Sequence, residues 1–160
     1  MKWVISIATF IVLGCQITEA DSSGGLSWER QIIAACLVLE ASDQGENGMR
    51  GVASVIHNRA EGTSKKFIGV VKKPYAFTSL NAASTGKTGG RGYADHVRRA
   101  SRDRNWKLAC AIVNEMYGES WADITYGADH YVRSDVNPRW SHEMSVTTII
   151  GEHMFFSSIQ

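Results

Sequence analysis

The chain has 160 residues and 17.6 kDa, enough for one domain with its own core. Hydrophobic residues are 44% and charged residues 21%, an ordinary globular balance. The net charge of +1 supplies no global field for nucleic acid, although residues 87–107 gather seven basic side chains against only Asp95 and Asp103.

The first element is an export segment. "MKWVISIATFIVLGC" places one lysine ahead of an uncharged apolar run of signal-peptide length. Three fates are open for residues 1–20. "VLGC" resembles a lipoprotein signal that would leave a lipidated Cys15, and "TEA" before Asp21 resembles an ordinary cleavage site. An uncleaved signal-anchor is the third, though about 16 apolar residues fall short of the roughly 20 that span a membrane comfortably. The chain is therefore expected in the periplasm or cell envelope, soluble or tethered. Residues 26–160 remain as a single domain, expected to be a monomer.

"ADSSGG" is a short linker. Ser27 then caps a helix through "WERQIIAACLVLEA", with Glu29 in its first turn. Ile33, Cys36, Leu37 and Glu40 recur at helical spacing, so Glu40 continues the apolar face. "SDQGENG" breaks this helix, and a second follows in "MRGVASVIHNRA", where Val52, Val55, Ile56 and Arg59 share a face. "FIGVV" is short and apolar. "AASTGKTGGRGYAD" is expected as a surface loop. One long helix is predicted from Asp95 to Tyr117, striped by Trp106, Ala109, Cys110 and Val113 and closed by Gly118. The remainder is rich in aromatic and β-branched residues and predicts a small hairpin, extended segments and a final short strand. Cys36 and Cys110 lie in apolar helical stretches, as two buried thiols or as a disulfide in an oxidising compartment.

Several chemistries fail on spacing. Gly86-Lys87-Thr88 lacks the upstream glycine of a phosphate loop, because Asn81 holds that place. His142 and Glu143 lack the second histidine of a zinc helix, which would fall at Val146, so no metal or cofactor is predicted. The basic stretch "DHVRRASRDR" suits a solvated helix face or an anionic cell-surface polymer, and an exported chain is not expected to meet nucleic acid. Glu40 is left. A carboxyl at the end of an apolar face is partly desolvated, which suits a general acid. The same position also suits a carboxylate paired with Arg50, Arg59 or solvent, and helix position alone does not choose.

Four blocks in order resemble the SleB-type cell-wall hydrolases, the spore-cortex-lytic enzyme family. Glu40-Ala41 is followed by "GVASVIHNR" ending in Asn58-Arg59. "FIGVVKKPYAFTS" carries Pro74, Phe77 and Thr78. Gly127, Ala128, His130 and Tyr131 form the third block. Pro138 and Trp140, then Ile150, Gly151, His153 and Phe155, form the fourth. The resemblance spans residues 31–156. Where the family has Arg-Gly-Glu-Pro after the Glu-Ala pair, this chain has "SDQGENG".

The resemblance implies a mainly helical α+β domain, lysozyme-like or lytic-transglycosylase-like, with a small β-hairpin. It implies a peptidoglycan-degrading enzyme acting on the bond between N-acetylmuramic acid and N-acetylglucosamine. Glu40 falls at the family's catalytic glutamate, as acid and then base. Phe77, Thr78, His130, Tyr131 and Trp140 would line the sugar groove. Asn58 and Arg59 would fix the second helix against the site, with Gly151 and His153 structural. Asp43 and Glu46 are the near candidates for a second carboxylate. A single Glu without an obvious partner favours lytic transglycosylation over hydrolysis. A leader directly ahead of a catalytic domain suits a phage endolysin, and also a small wall-remodelling enzyme. A non-enzymatic wall-binding or lysis-accessory module and a metal-dependent hydrolase are the rival expectations.

Overall fold

The computed structural model describes residues 25–86 and 92–158. The leader with Cys15, and Lys87 and Arg91 of the basic segment, lie outside the described residues.

Helix α1 spans Trp28–Ala41 and starts where the Ser27 hydroxyl accepts the Arg30 N–H. Ile32, Ile33, Ala34, Ala35, Cys36 and Leu37 are all fully enclosed, so the middle of α1 is buried on every side rather than on one stripe. It is the central helix of the domain, in contact with α2 (Gly45–Arg59), α3 (Phe67–Lys72), α5 (Tyr93–Ala100) and α6 (Trp106–Met116). Each fully buried Ile or Leu here contributes about 2 kcal/mol of transfer free energy. That burial fixes the end of α1, and Glu40 stands in its last turn.

The long helix predicted over residues 95–117 is in fact two, α5 and α6, separated by a turn at residues 101–105. Side chains that compete with the helix ladder explain the break. Asp103 accepts the backbone N–H of Asn105 at 2.8 Å and the Ser42 hydroxyl at 3.3 Å, while Asn105 Nδ2 donates to the Ser42 carbonyl at 3.0 Å. The break is thus tied to the turn immediately after α1. Both ends of the expected surface loop are helical instead: the short α4, Asn81–Ser84, takes in its first residues and α5 its last. Cys36 and Cys110 are buried free thiols rather than a disulfide. The predicted stripe of Trp106, Ala109, Cys110 and Val113 is buried in the main core.

The predicted hairpin is two strands of a three-stranded antiparallel sheet. Strands β2 (Ser145–Ile150) and β3 (His153–Ser157) form the hairpin around Gly151, and β1 (His130–Arg133) joins the far side of β3. The order is β1-β3-β2, so the last strand in the chain is central. Gly151 has φ 57°, and a Cβ there would stand 2.4 Å from Gln44 Oε1, the atom that accepts the Glu152 N–H. The sheet packs on α2 through Phe155, which is fully enclosed with Val55 and Ala128. Gly51 of α2 makes this approach possible, because a Cβ on it would lie 2.6 Å from the Phe155 ring.

Candidate active site

Glu40 is half-buried where the helical layer meets β1. Both of its carboxylate oxygens are addressed. Oε1 accepts the backbone N–H of Ser79 at 2.7 Å, and Oε2 accepts the hydroxyl of Tyr131 at 2.7 Å. Ser79 belongs to the turn Thr78–Leu80 and Tyr131 to β1, so three separate segments converge on one carboxyl group. Burial, and then the charge of Glu40, push the Tyr131 hydroxyl well above its ordinary pKa, so it stays protonated and donates.

Arg59 braces this arrangement from the end of α2. Its Nε donates to the Asp129 carbonyl at 2.6 Å and its Nη1 to the Ala76 carbonyl at 3.3 Å, and the guanidinium lies 5.3 Å from the centre of the Phe77 ring. Burial lowers its pKa, opposed by the fields of Tyr131, Asp129, Cys36 and Glu40. An arginine so shifted is still a cation. Asn58 donates to Asp123 at 3.1 Å and to the Ala128 carbonyl at 2.9 Å. Asp123 also accepts the Thr125 hydroxyl and the N–H groups of Thr125 and Gly127. The Asn58-Arg59 pair therefore staples residues 123–129, the approach to β1, onto α2.

Two cavities meet here. A cleft of about 360 Å³ is lined by Glu40, Arg59, Ala76, Phe77, Thr78, Tyr131, Val132, Arg133, Val136 and His153. A larger one of about 750 Å³ shares the wall formed by Arg59 and Ala76 and is bounded by Pro74, Tyr75, Asp129, His130 and Trp140, among others. The five residues expected in one sugar groove thus divide. Phe77, Thr78 and Tyr131 lie with Glu40, whereas His130 and Trp140 face the neighbouring cavity. Phe77 is only 2% exposed, so it builds the cleft floor rather than offering a ring face. Trp140 is 38% exposed, 5.3 Å from the His130 ring and edge-on to Phe156.

The two candidate second carboxylates also differ. Neither lines the Glu40 cleft, and Glu46 is exposed and paired with Arg50 at 2.8 Å, which in turn holds Glu115 at 2.7 Å. Asp43 is exposed in the turn Ser42–Gln44, and its charge is felt at His153. His153, expected to be structural, is 6% exposed, lies in the cleft wall and packs 5.2 Å from the Tyr131 ring. Burial lowers its pKa, partly opposed by Asp43 and Glu40. Ser79 has no side-chain signature in the sequence, because its contribution is a backbone donor. His153 is signalled by its place in the fourth block, which marks the residue but not its position in the cleft wall. Among the described residues, no group of three or more His, Cys, Asp or Glu gathers for a metal ion.

A half-buried carboxyl held by two donors at the floor of a cleft can exchange a proton with a group bound above it. Comparison with known proteins bears on what that group is. The family described as Cell Wall Hydrolase matches residues 43–156, a span that begins just after Glu40. The catalytic domain of the germination-specific lytic transglycosylase SleB from Bacillus anthracis is similar in structure, with a TM-score of 0.58 and 24% identity. The likeness covers 84% of this chain and 98% of that one, and at that identity it speaks to the fold. No curated protein matches by sequence.

Proposed function

The chain belongs to the cell wall hydrolase family and is a peptidoglycan-degrading enzyme, and from that premise we propose that Glu40 is its catalytic acid and base. The observation that carries this is the pair of donors, Ser79 N–H and Tyr131 O–H, that fix the Glu40 carboxyl in a cleft. The glycan strand lies across that cleft with the bond between N-acetylmuramic acid and N-acetylglucosamine above Glu40. Glu40 gives its proton to the leaving glycosidic oxygen as the C1–O bond breaks. The resulting carboxylate then takes the proton of the muramyl 6-hydroxyl, whose oxygen bonds to C1 and closes a 1,6-anhydro ring. No water is consumed, and the carboxyl is regenerated.

Glu40→Gln keeps the size and one accepting oxygen but removes the transferable proton. Release of soluble fragments from purified cell walls should fall by about 100-fold or more. Activity within a few-fold of wild type would sink the assignment. Mass spectrometry of the products then identifies the chemistry, since anhydro-muramic ends arise only by transglycosylation.

Hydrolysis by a second carboxylate is the competing reading, and Asp43, in the turn that follows α1, is its candidate. Asp43→Asn should leave a transglycosylase within a few-fold of wild type and cripple a two-carboxylate hydrolase. The proposal extends to delivery: residues 1–20 carry the chain across the cytoplasmic membrane, in the setting of host-cell lysis. Among the described residues no helix is long and apolar enough to cross a membrane. N-terminal mass analysis of membrane and soluble fractions distinguishes lipidated Cys15, a start at Asp21 and an uncleaved leader. Lysis of a producing host by the full chain, but not by a chain lacking residues 1–20, tests the setting.

A further inference from the structure

The larger cavity has no part in the chemistry at Glu40, yet it opens directly beside it across Arg59 and Ala76. Beside residues that suit a sugar, its lining carries charges that a neutral polysaccharide does not call for. Lys73 brings an ammonium group that makes no ion pair among the described residues, and Glu61 brings an exposed carboxylate shared with Lys66 at 2.6 Å. Arg59 adds a half-buried cation whose Nε and Nη1 are committed to backbone carbonyls. Asp129 holds His130 through Nδ1 at 2.9 Å, which leaves Nε2 for a ligand. Tyr75 is 75% exposed at φ 64°, a left-handed conformation unfavourable for a large side chain. A strained aromatic displayed at a cavity rim is a common mark of a binding site.

A peptidoglycan glycan backbone carries no charge of its own. Its charges sit on the stem peptides, which branch from the lactyl ether of each muramyl sugar and carry free carboxylates and, in many walls, an amine. If the muramyl sugar lies in the Glu40 cleft, its stem departs within reach of the adjoining wall. We infer that the larger cavity is a stem-peptide site. Lys73 pairs with a stem carboxylate, Glu61 faces a stem amine, and Tyr75 and Trp140 cover the small apolar side chains. The inference rests on the placement of the muramyl sugar at Glu40 proposed above.

The test compares soluble glycan chains that bear intact stem peptides with the same chains after an amidase has removed the stems. A charge-assisted contact of ordinary strength predicts that wild-type kcat/KM is about ten-fold higher on the stem-bearing chains. Lys73→Glu should bring that ratio close to one while changing the rate on stripped chains less than about two-fold. Tyr75→Gly removes the aromatic, fits the same backbone angle and should lower the same ratio. A wild-type ratio near one overturns the inference. So does a uniform loss on both substrates in the two variants, which would make the cavity a subsite for the glycan itself. The catalytic assignment fails separately: persistent cleavage by Glu40→Gln would remove Glu40 from the chemistry, while the ratio would still report on the stem.

Discussion

Tyr131 has a partly buried ring, and its hydroxyl donates to Glu40 Oε2 at 2.7 Å. Tyr131→Phe keeps the packing against His153 and Phe155 and deletes one donor. A hydrogen bond to a charged group is worth about 1.5–3 kcal/mol, so kcat should fall roughly 10- to 100-fold. The melting temperature should move by only a few degrees, and the pair of measurements separates loss of function from loss of fold. Glu40 and Tyr131 were both legible in the sequence, Glu40 as an acid interrupting an apolar helix and Tyr131 within a recognisable block. Phe77, Thr78 and Arg59, which also line the cleft, were named with them. Ser79 was not legible because it acts through its main chain, and the sequence did not show that Phe77 would be almost fully buried, with the half-buried guanidinium of Arg59 5.3 Å from its ring centre.

Elements were legible where local signals sufficed. Ser27, Glu29 and an unbroken apolar run define α1 without help from the rest of the chain. The division between α5 and α6 was not legible, because it depends on Ser42, whose partner Asp103 lies 61 residues away. Asp103→Ala should loosen this junction and cost about 1 kcal/mol, read as a lower urea midpoint. The contact between α2 and the sheet offers a sharper test. Gly51→Ala forces a Cβ toward the Phe155 ring at 2.6 Å, and Phe155 is fully enclosed with nowhere simple to move. Overpacking of this kind costs about 1–3 kcal/mol, and chemical denaturation should show it. Activity should fall with it, since α2 also supplies Arg59 to the wall shared by both cavities.

At the scale of the whole molecule, acid should unfold the protein in two stages. His153 is held below its ordinary value of 6.5 by burial, so on acidification the unfolded chain binds this proton first. The stability contributed by keeping His153 neutral is present above that pH and is lost as the pH falls through the folded value. Asp123 and Asp129 follow the same sign at lower pH. Burial alone would raise each, but Thr125, Gly127 and Asn58 hold Asp123 below its ordinary 3.8, and Ser158 and His130 do the same for Asp129. Their contribution is lost as the pH falls below about 3.8. Melting temperature should therefore decline first below pH 6.5 and more steeply below pH 4. His153→Phe should remove the first decline and leave the second.

The strand order carries one more consequence. β1, which presents Tyr131 to Glu40, pairs only with β3, and β3 is the last of the three strands to leave the ribosome. Until β3 is threaded between its neighbours, Glu40 lacks one of its two donors and the cleft lacks the wall that His153 provides. A chain cut before His153 should therefore release no soluble fragments from purified cell walls, which a turbidity assay would check.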